Sequence, residues 1–124
     1  MILIIGGAYQ GKLDYAKATF ALNDKDIFTC TDTYIDFSKP CIDHLEEFTL
    51  ACVHSDMDPV EYFKTHQENW QNSILICQDI FCGVVPLGAD MRAWRRATGR
   101  LCQYLSGQAQ QVSRIFCGLE QRLK

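Results

Sequence analysis

Apolar residues along the chain gather into short dense runs separated by amphipathic stretches. Residues 1–5, Met-Ile-Leu-Ile-Ile, form the first run, and 27–30, 74–77 and 112–117 repeat the type. Runs this short, rich in β-branched residues and bounded by polar or glycine positions, read as strands. The unbroken apolar character of 74–77 further predicts a strand buried on both faces, as in a parallel sheet covered by helices. Between the runs the spacing turns helical. Leu13, Ala16 and Phe20 share one face of a helix over about 14–22, and Ile42, Leu45, Phe48 and Cys52 do so over 42–54. Asp58-Pro59 opens another helix, with Asp as N-cap and Pro at the first position, that ends near 70–72. Met91, Trp94, Thr98, Leu101 and Leu105 mark a long helix over about 89–109. Residues 31–40 are polar and irregular and predict a loop over the strand ends, while 118–124 predict a terminal turn or short extension. The alternation of strands and helices predicts an α/β fold of three layers around a mainly parallel sheet.

No Pro- or Ser-rich linker or repeat divides the 124 residues, so 1–124 is expected to form a single domain. The net charge of −3, from 12 basic and 15 acidic residues, argues against non-specific nucleic-acid binding. The charge is uneven. Arginine is absent before Arg92, after which Arg92, Arg96 and Arg100 follow at helical spacing with Arg95 alongside. Such a row reads as a solvated face, or as a supply of one arginine to an anionic ligand. The first apolar run is too short for a membrane span and lacks a basic flank, so neither a signal peptide nor membrane insertion is expected. A cytoplasmic location follows. The 7 cysteines, at Cys30, Cys41, Cys52, Cys77, Cys82, Cys102 and Cys117, show no paired zinc spacing and read as reduced packing residues.

One stretch carries candidate chemistry. Gly6-Gly7-Ala8-Tyr9-Gln10-Gly11-Lys12-Leu13 stands between the first predicted strand and the first predicted helix. Gly6-x-x-x-x-Gly11-Lys12 has the spacing of a phosphate-binding loop, in which backbone amides and a helix start cradle phosphates. Lys12 would supply the point charge for the β- and γ-phosphates. The position after the lysine departs from the pattern: a Ser or Thr hydroxyl that holds Mg²⁺ is replaced by Leu13. The alternative is an ordinary strand–helix turn with a solvated lysine. Asp79 closes the buried 74–77 run in the manner of a Walker B acid. At the carboxyl end of a parallel strand it would sit beside the loop, or else merely cap a turn.

The later segments Gln78-Asp79-Ile80-Phe81-Cys82-Gly83-Val84-Val85-Pro86 and Gly99-Arg100-Leu101-Cys102-Gln103, taken with the 6–13 loop, resemble the adenosylcobinamide kinase/adenosylcobinamide-phosphate guanylyltransferase family. The likeness covers about 1–22 and 74–124. It implies a P-loop NTPase-like fold and ATP or GTP held by residues 6–13. It further implies catalytic roles for Lys12 and Asp79, Mg²⁺ held through Asp79, a cobinamide-type alcohol as acceptor, and a homo-oligomer, trimeric in the family. The chain departs from the family pattern at Leu13, at Asp79 in place of Glu, at Gln78 and Cys102 in place of Asn, and in a shortened middle. None of His44, His54 and His66 matches the guanylylated histidine, so guanylyl transfer is not expected.

Two readings stay open. One is a nucleotide-dependent kinase. The other is a catalytically silent relative that binds nucleotide or corrinoid as a regulatory or assembly protein, which Leu13 favours because it extends the apolar face of Ala16 and Phe20. A structural protein that keeps the fold and no ligand is a third, weaker reading.

Overall fold

The computed structural model describes residues 1–80 and 88–124. At its centre β1 (Ile2–Gly6) hydrogen-bonds along both edges. It runs parallel to β4 (Ile74–Gln78), with Ile2 opposite Ile74, and parallel to β5 (Gln111–Phe116), with Ile2 opposite Gln111. Outward from β4 lie β3 (Cys41–Asp43) and β2 (Ile27–Thr29), also parallel. Beyond β5 lies β6 (Leu119–Arg122), the antiparallel edge of a six-stranded sheet ordered β2-β3-β4-β1-β5-β6.

Alternate residues of the central strands supply two apolar layers, because successive side chains of a strand point to opposite faces. Leu3, Leu75 and Cys77 join one cluster with α2 (Leu45–His54), α3 (Pro59–Thr65) and α5 (Ala89–Gln108). Ile4 and Ile76 join the other with Ala16 of α1 (Lys12–Phe20). Helices therefore cover both faces, and the expected three-layer α/β architecture with a mostly parallel sheet is present. No described helix is long and apolar enough to cross a membrane.

The four predicted strands all form. Asp58 caps α3 as its spacing requires, its carboxylate accepting from the amides of Val60 at 2.9 Å and Glu61 at 3.4 Å. Three elements differ from expectation. Cys41–Asp43 is a strand, although Ile42 fits the helical spacing of the residues that follow. Its three residues are too few to show a period, and pairing with both β2 and β4 decides their state. The helix predicted from Asp58 to about 70–72 is broken at His66 into α3 and a single turn, α4 (Gln67–Trp70). The terminal segment pairs as β6 although every residue of it is exposed. Its pairing follows from the turn, where Cys117 and Gly118 have φ of 51° and 77°. Positive φ at both central residues makes the tight hairpin turn whose twist suits the strands it joins.

Gly6 leaves the sheet through a close approach. A Cβ there would lie 2.6 Å from the carbonyl oxygen of Ile115 on β5. Since that neighbour is backbone of a paired strand, Gly6→Ala should lower the unfolding free energy by about 1–3 kcal/mol, the usual cost of overpacking. Denaturant titration measures it. An unchanged midpoint would show that β5 can move aside.

Candidate functional site

The 7–11 segment links the carboxyl end of β1 to α1, and its shape is held by the sheet on both sides. Gln10 is clipped to the β5–β6 turn twice: its carbonyl accepts from the Gly118 amide at 2.9 Å and its Oε1 from the Cys117 amide at 2.7 Å. On the opposite edge the Gly6 carbonyl accepts from the Asp79 amide at 3.0 Å. Gly11 is the N-cap of α1 at φ 90°, a left-handed conformation that favours glycine. The first rung of the helix runs from the Tyr15 amide to the Gly11 carbonyl at 2.9 Å. The amides of Lys12, Leu13 and Asp14 therefore precede the helical ladder and have no acceptor within the helix. Lys12 folds back over the segment, its Nζ donating to the Gly7 carbonyl at 2.6 Å.

A cavity of about 730 Å³ opens in front of this loop, walled by the 8–14 run on one side and by Asp43, His44, Glu46 and Gln78 on the other. It lies at the carboxyl ends of β1, β3 and β4, where open α/β sheets place their ligand crevice. Asp43 ends β3 and is 4 % exposed. Its Oδ1 accepts from the His44 amide at 2.8 Å, and its Oδ2 lies 3.0 Å from His44 Nδ1.

Glu46 is the unusual group. It is 5 % exposed, on the first turn of α2. Its Oε1 accepts from the Gln78 amide at 2.9 Å, while its Oε2 is buried with no hydrogen-bond partner among the described residues. Its backbone is equally fixed. The Glu46 carbonyl accepts from Trp94 Nε1 of α5 at 2.7 Å and from the Thr49 hydroxyl at 2.9 Å. Thr49 in turn meets the buried Thr98 hydroxyl at 2.6 Å. Burial pushes the Glu46 carboxyl above its ordinary range. Asp43 adds to the shift, and the Gln78 amide, His44 and Lys12 oppose it.

The residues singled out from sequence separate into two groups. Gly6, Gly7, Ala8, Tyr9, Gln10, Gly11, Lys12 and Leu13 form the strand–loop–helix junction. Asp79 lies beside it, with its Oδ1 3.8 Å from where a Cβ on Gly7 would stand. Leu13 lines the cavity and also packs into the apolar layer with Ala16 and Phe20. Elsewhere, Arg96, Arg100 and Gln103 line a different cavity of about 880 Å³ between α5 and the α2–α3 region, with Met57, Pro59 and Tyr104. Arg96 and Arg100 thus do not meet the loop there. Residues 81–86 of the family-like segment, Cys82 included, lie outside the described residues. Of the other cysteines, Cys30, Cys41, Cys52, Cys77 and Cys102 are buried as packing residues, and burial pushes the Cys41 thiol up to about 12 and Cys52 to about 11. Cys117 is exposed in the hairpin turn.

The Asp43–His44–Glu46 wall was not singled out from sequence. No signal separated Glu46 from Glu47: on a helical projection each falls about 100° from the nearest residue of the Leu45, Phe48 and Cys52 face. For a divalent cation the donor set is poor. Leu13 offers no oxygen, and no cluster of three or more His, Cys, Asp or Glu able to hold a metal occurs among the described residues. Compared with protein-family models and with curated protein sequences, the chain matches none.

The strain on Glu46 has a pH signature. Its folded-state carboxyl is held above the ordinary 4.5, so the protonated form suits the fold best. Its favourable contribution is complete below the unfolded value and is lost as pH rises through the folded one. Glu46→Gln keeps an acceptor for the Gln78 amide and carries no charge. The variant should therefore gain in melting temperature over the parent as pH rises from about 5 to about 8. Melting curves at both ends check this, and a constant difference would show that the Glu46 carboxyl titrates alike in the folded and unfolded chain.

Proposed function

We propose that the chain has a P-loop NTPase-like fold and binds the phosphates of ATP or GTP in its 6–13 loop. It would then transfer a phosphoryl group to a cobinamide-type alcohol, as the family resemblance implies. The observation that carries the binding reading is a loop held in shape by the sheet: Gln10 and Gly6 are tied to the neighbouring strands, leaving the α1 amides and Lys12 at a cavity. Helix amides and a lysine at a helix start favour anions through hydrogen bonds and the helix dipole.

For transfer, the alcohol oxygen bonds to the terminal phosphorus as the bond to the bridging oxygen breaks and the nucleoside diphosphate leaves. Lys12 offsets charge on the moving group, and Asp79 orients the hydroxyl that gives up its proton. Asp79 would hold Mg²⁺, whose charge would offset that of the phosphates. Leu13 offers it no oxygen, and Asp79 is the carboxylate beside Gly7. That same Leu13 favours a second reading, a silent nucleotide- or corrinoid-binding relative, because its side chain belongs to the apolar layer beneath the loop.

Lys12→Ala should weaken ATP or GTP binding by about 1–3 kcal/mol, the loss of a charged hydrogen bond. Calorimetry measures it, and equal affinities for parent and variant would remove the loop from the account. Leu13→Ser separates the two readings. The parent should bind nucleotide with little dependence on Mg²⁺ and phosphorylate cobinamide slowly or not at all by mass analysis. The serine variant should gain Mg²⁺ dependence. Strong Mg²⁺ dependence and rapid product formation by the parent would show that Leu13 does not limit the site.

A further inference from the structure

Glu46 stands apart from the rest of the cavity wall. Its position is over-determined: Oε1 is held by the Gln78 amide of β4, and its carbonyl by Trp94 of α5 and by Thr49. Only Oε2 has no described partner; it is buried, and Glu46 lines the cavity that the α1 amides and Lys12 border. A buried polar atom left without a partner is costly and is rare in folded proteins. We infer that Glu46 is part of the anion site, its Oε2 carrying a proton and donating it in a hydrogen bond to a phosphate oxygen of the bound ligand.

This rests on the reading that the loop holds phosphate, and the chemistry then leaves one arrangement. An ionised Oε2 would face the phosphate charge with repulsion and no donor of its own. In the neutral acid the proton must ride on Oε2, because Oε1 already accepts from the Gln78 amide. A phosphate oxygen would satisfy that donor, and its charge would favour the neutral form. A carboxylic acid kept neutral by its surroundings is a known kind of hydrogen-bond donor. Burial already biases Glu46 in that direction. The groups that act on it from the surrounding elements are Lys12 of α1, Asp43 of β3 and His44 at the start of α2. Cys77 of β4 is a further titratable neighbour, Asp79 follows it beyond Gln78, and α5 brings the neutral indole of Trp94. Lys12 and His44 favour the ionised form in the free protein, whereas Asp43 and burial oppose it. Phosphate binding would neutralise Lys12 locally and tip the balance. The ligand class is therefore a phosphate taken up together with a proton.

The test is calorimetric titration of the full chain with ATP in EDTA, in two buffers of different ionisation heat, from about pH 5 to about pH 8. The parent should take up as much as about one proton per ATP within part of this range. Glu46→Gln, which keeps the shape and offers a permanent donor, should lack that uptake. Relative to it, the parent's affinity should fall by up to about tenfold per pH unit across the same window. Subtracting the variant removes the titration of ATP itself. His44→Asn, tolerated at the left-handed N-cap position of α2, should keep the uptake, and melting curves confirm that each variant is folded. ATP binding with identical proton uptake in parent and Glu46→Gln overturns the assignment while leaving the loop reading intact. Uptake lost in His44→Asn but kept in Glu46→Gln overturns it in favour of the histidine. No ATP binding by parent or variants at any pH removes the loop reading, and this inference with it.

Discussion

β1 is hydrogen-bonded along both edges and buried on both faces, so the chain can leave it only through a narrow gap beside β5. Gly6 passes that gap under the Ile115 carbonyl, where a Cβ would stand 2.6 Å from the oxygen. Everything at this end of the sheet follows from the constraint. The loop must turn at once, its carbonyls at Gly6 and Gln10 are taken by backbone amides on either side, and α1 starts at Gly11 with a left-handed cap. A segment so tied presents its remaining amides in a fixed arrangement, which lowers the ordering cost of binding an anion. The β5–β6 hairpin belongs to the same device, since its turn amides at Cys117 and Gly118 hold Gln10.

The second constraint comes from the helical layer. Trp94, Thr98, Thr49 and Glu46 form a polar chain across the α2–α5 contact, in a region that is otherwise apolar. Its members are satisfied by one another and by the Gln78 amide except at the buried Glu46 Oε2, and Glu46 is the member that lines the cavity. Buried polar networks fix a unique packing when every member is paired. The single open end is where a ligand would complete the network. Glu46 itself joins β4, through the Gln78 amide, to α5, through Trp94.

Much of the sheet could be read in advance because β1, β4 and β5 are dense apolar runs, and α5 has a helical face long enough to be unmistakable. The loop was legible for the same reason: glycines and a lysine at fixed spacing between two clear elements. Three residues of β3 offered no period, and Ile42 falsely extended the face of α2. The exposed β6 has no pattern at all, and only the Cys117-Gly118 turn signals it. Glu46 was hidden for a subtler reason, because Glu46 and Glu47 are identical in composition and differ only in which side of α2 they occupy. The arginine row read as a solvated face or as the source of one ligand arginine, and Arg96 and Arg100 line the other cavity.

Leu13 is where fold and chemistry pull apart. The same side chain completes the apolar layer under the sheet and removes the oxygen that would meet a metal. In the proposed function, a site built from backbone amides, Lys12 and a carboxyl wall would hold phosphate without that oxygen. The most direct measurement of the central claim is an amide-resolved NMR titration of the ¹⁵N-labelled chain with ATP. The account predicts that the shifts concentrate on residues 7–14 and on Gln78, whose amide is held by Glu46. Shifts confined to Met57, Arg100 and Tyr104 around the other cavity, with the loop silent, would contradict it.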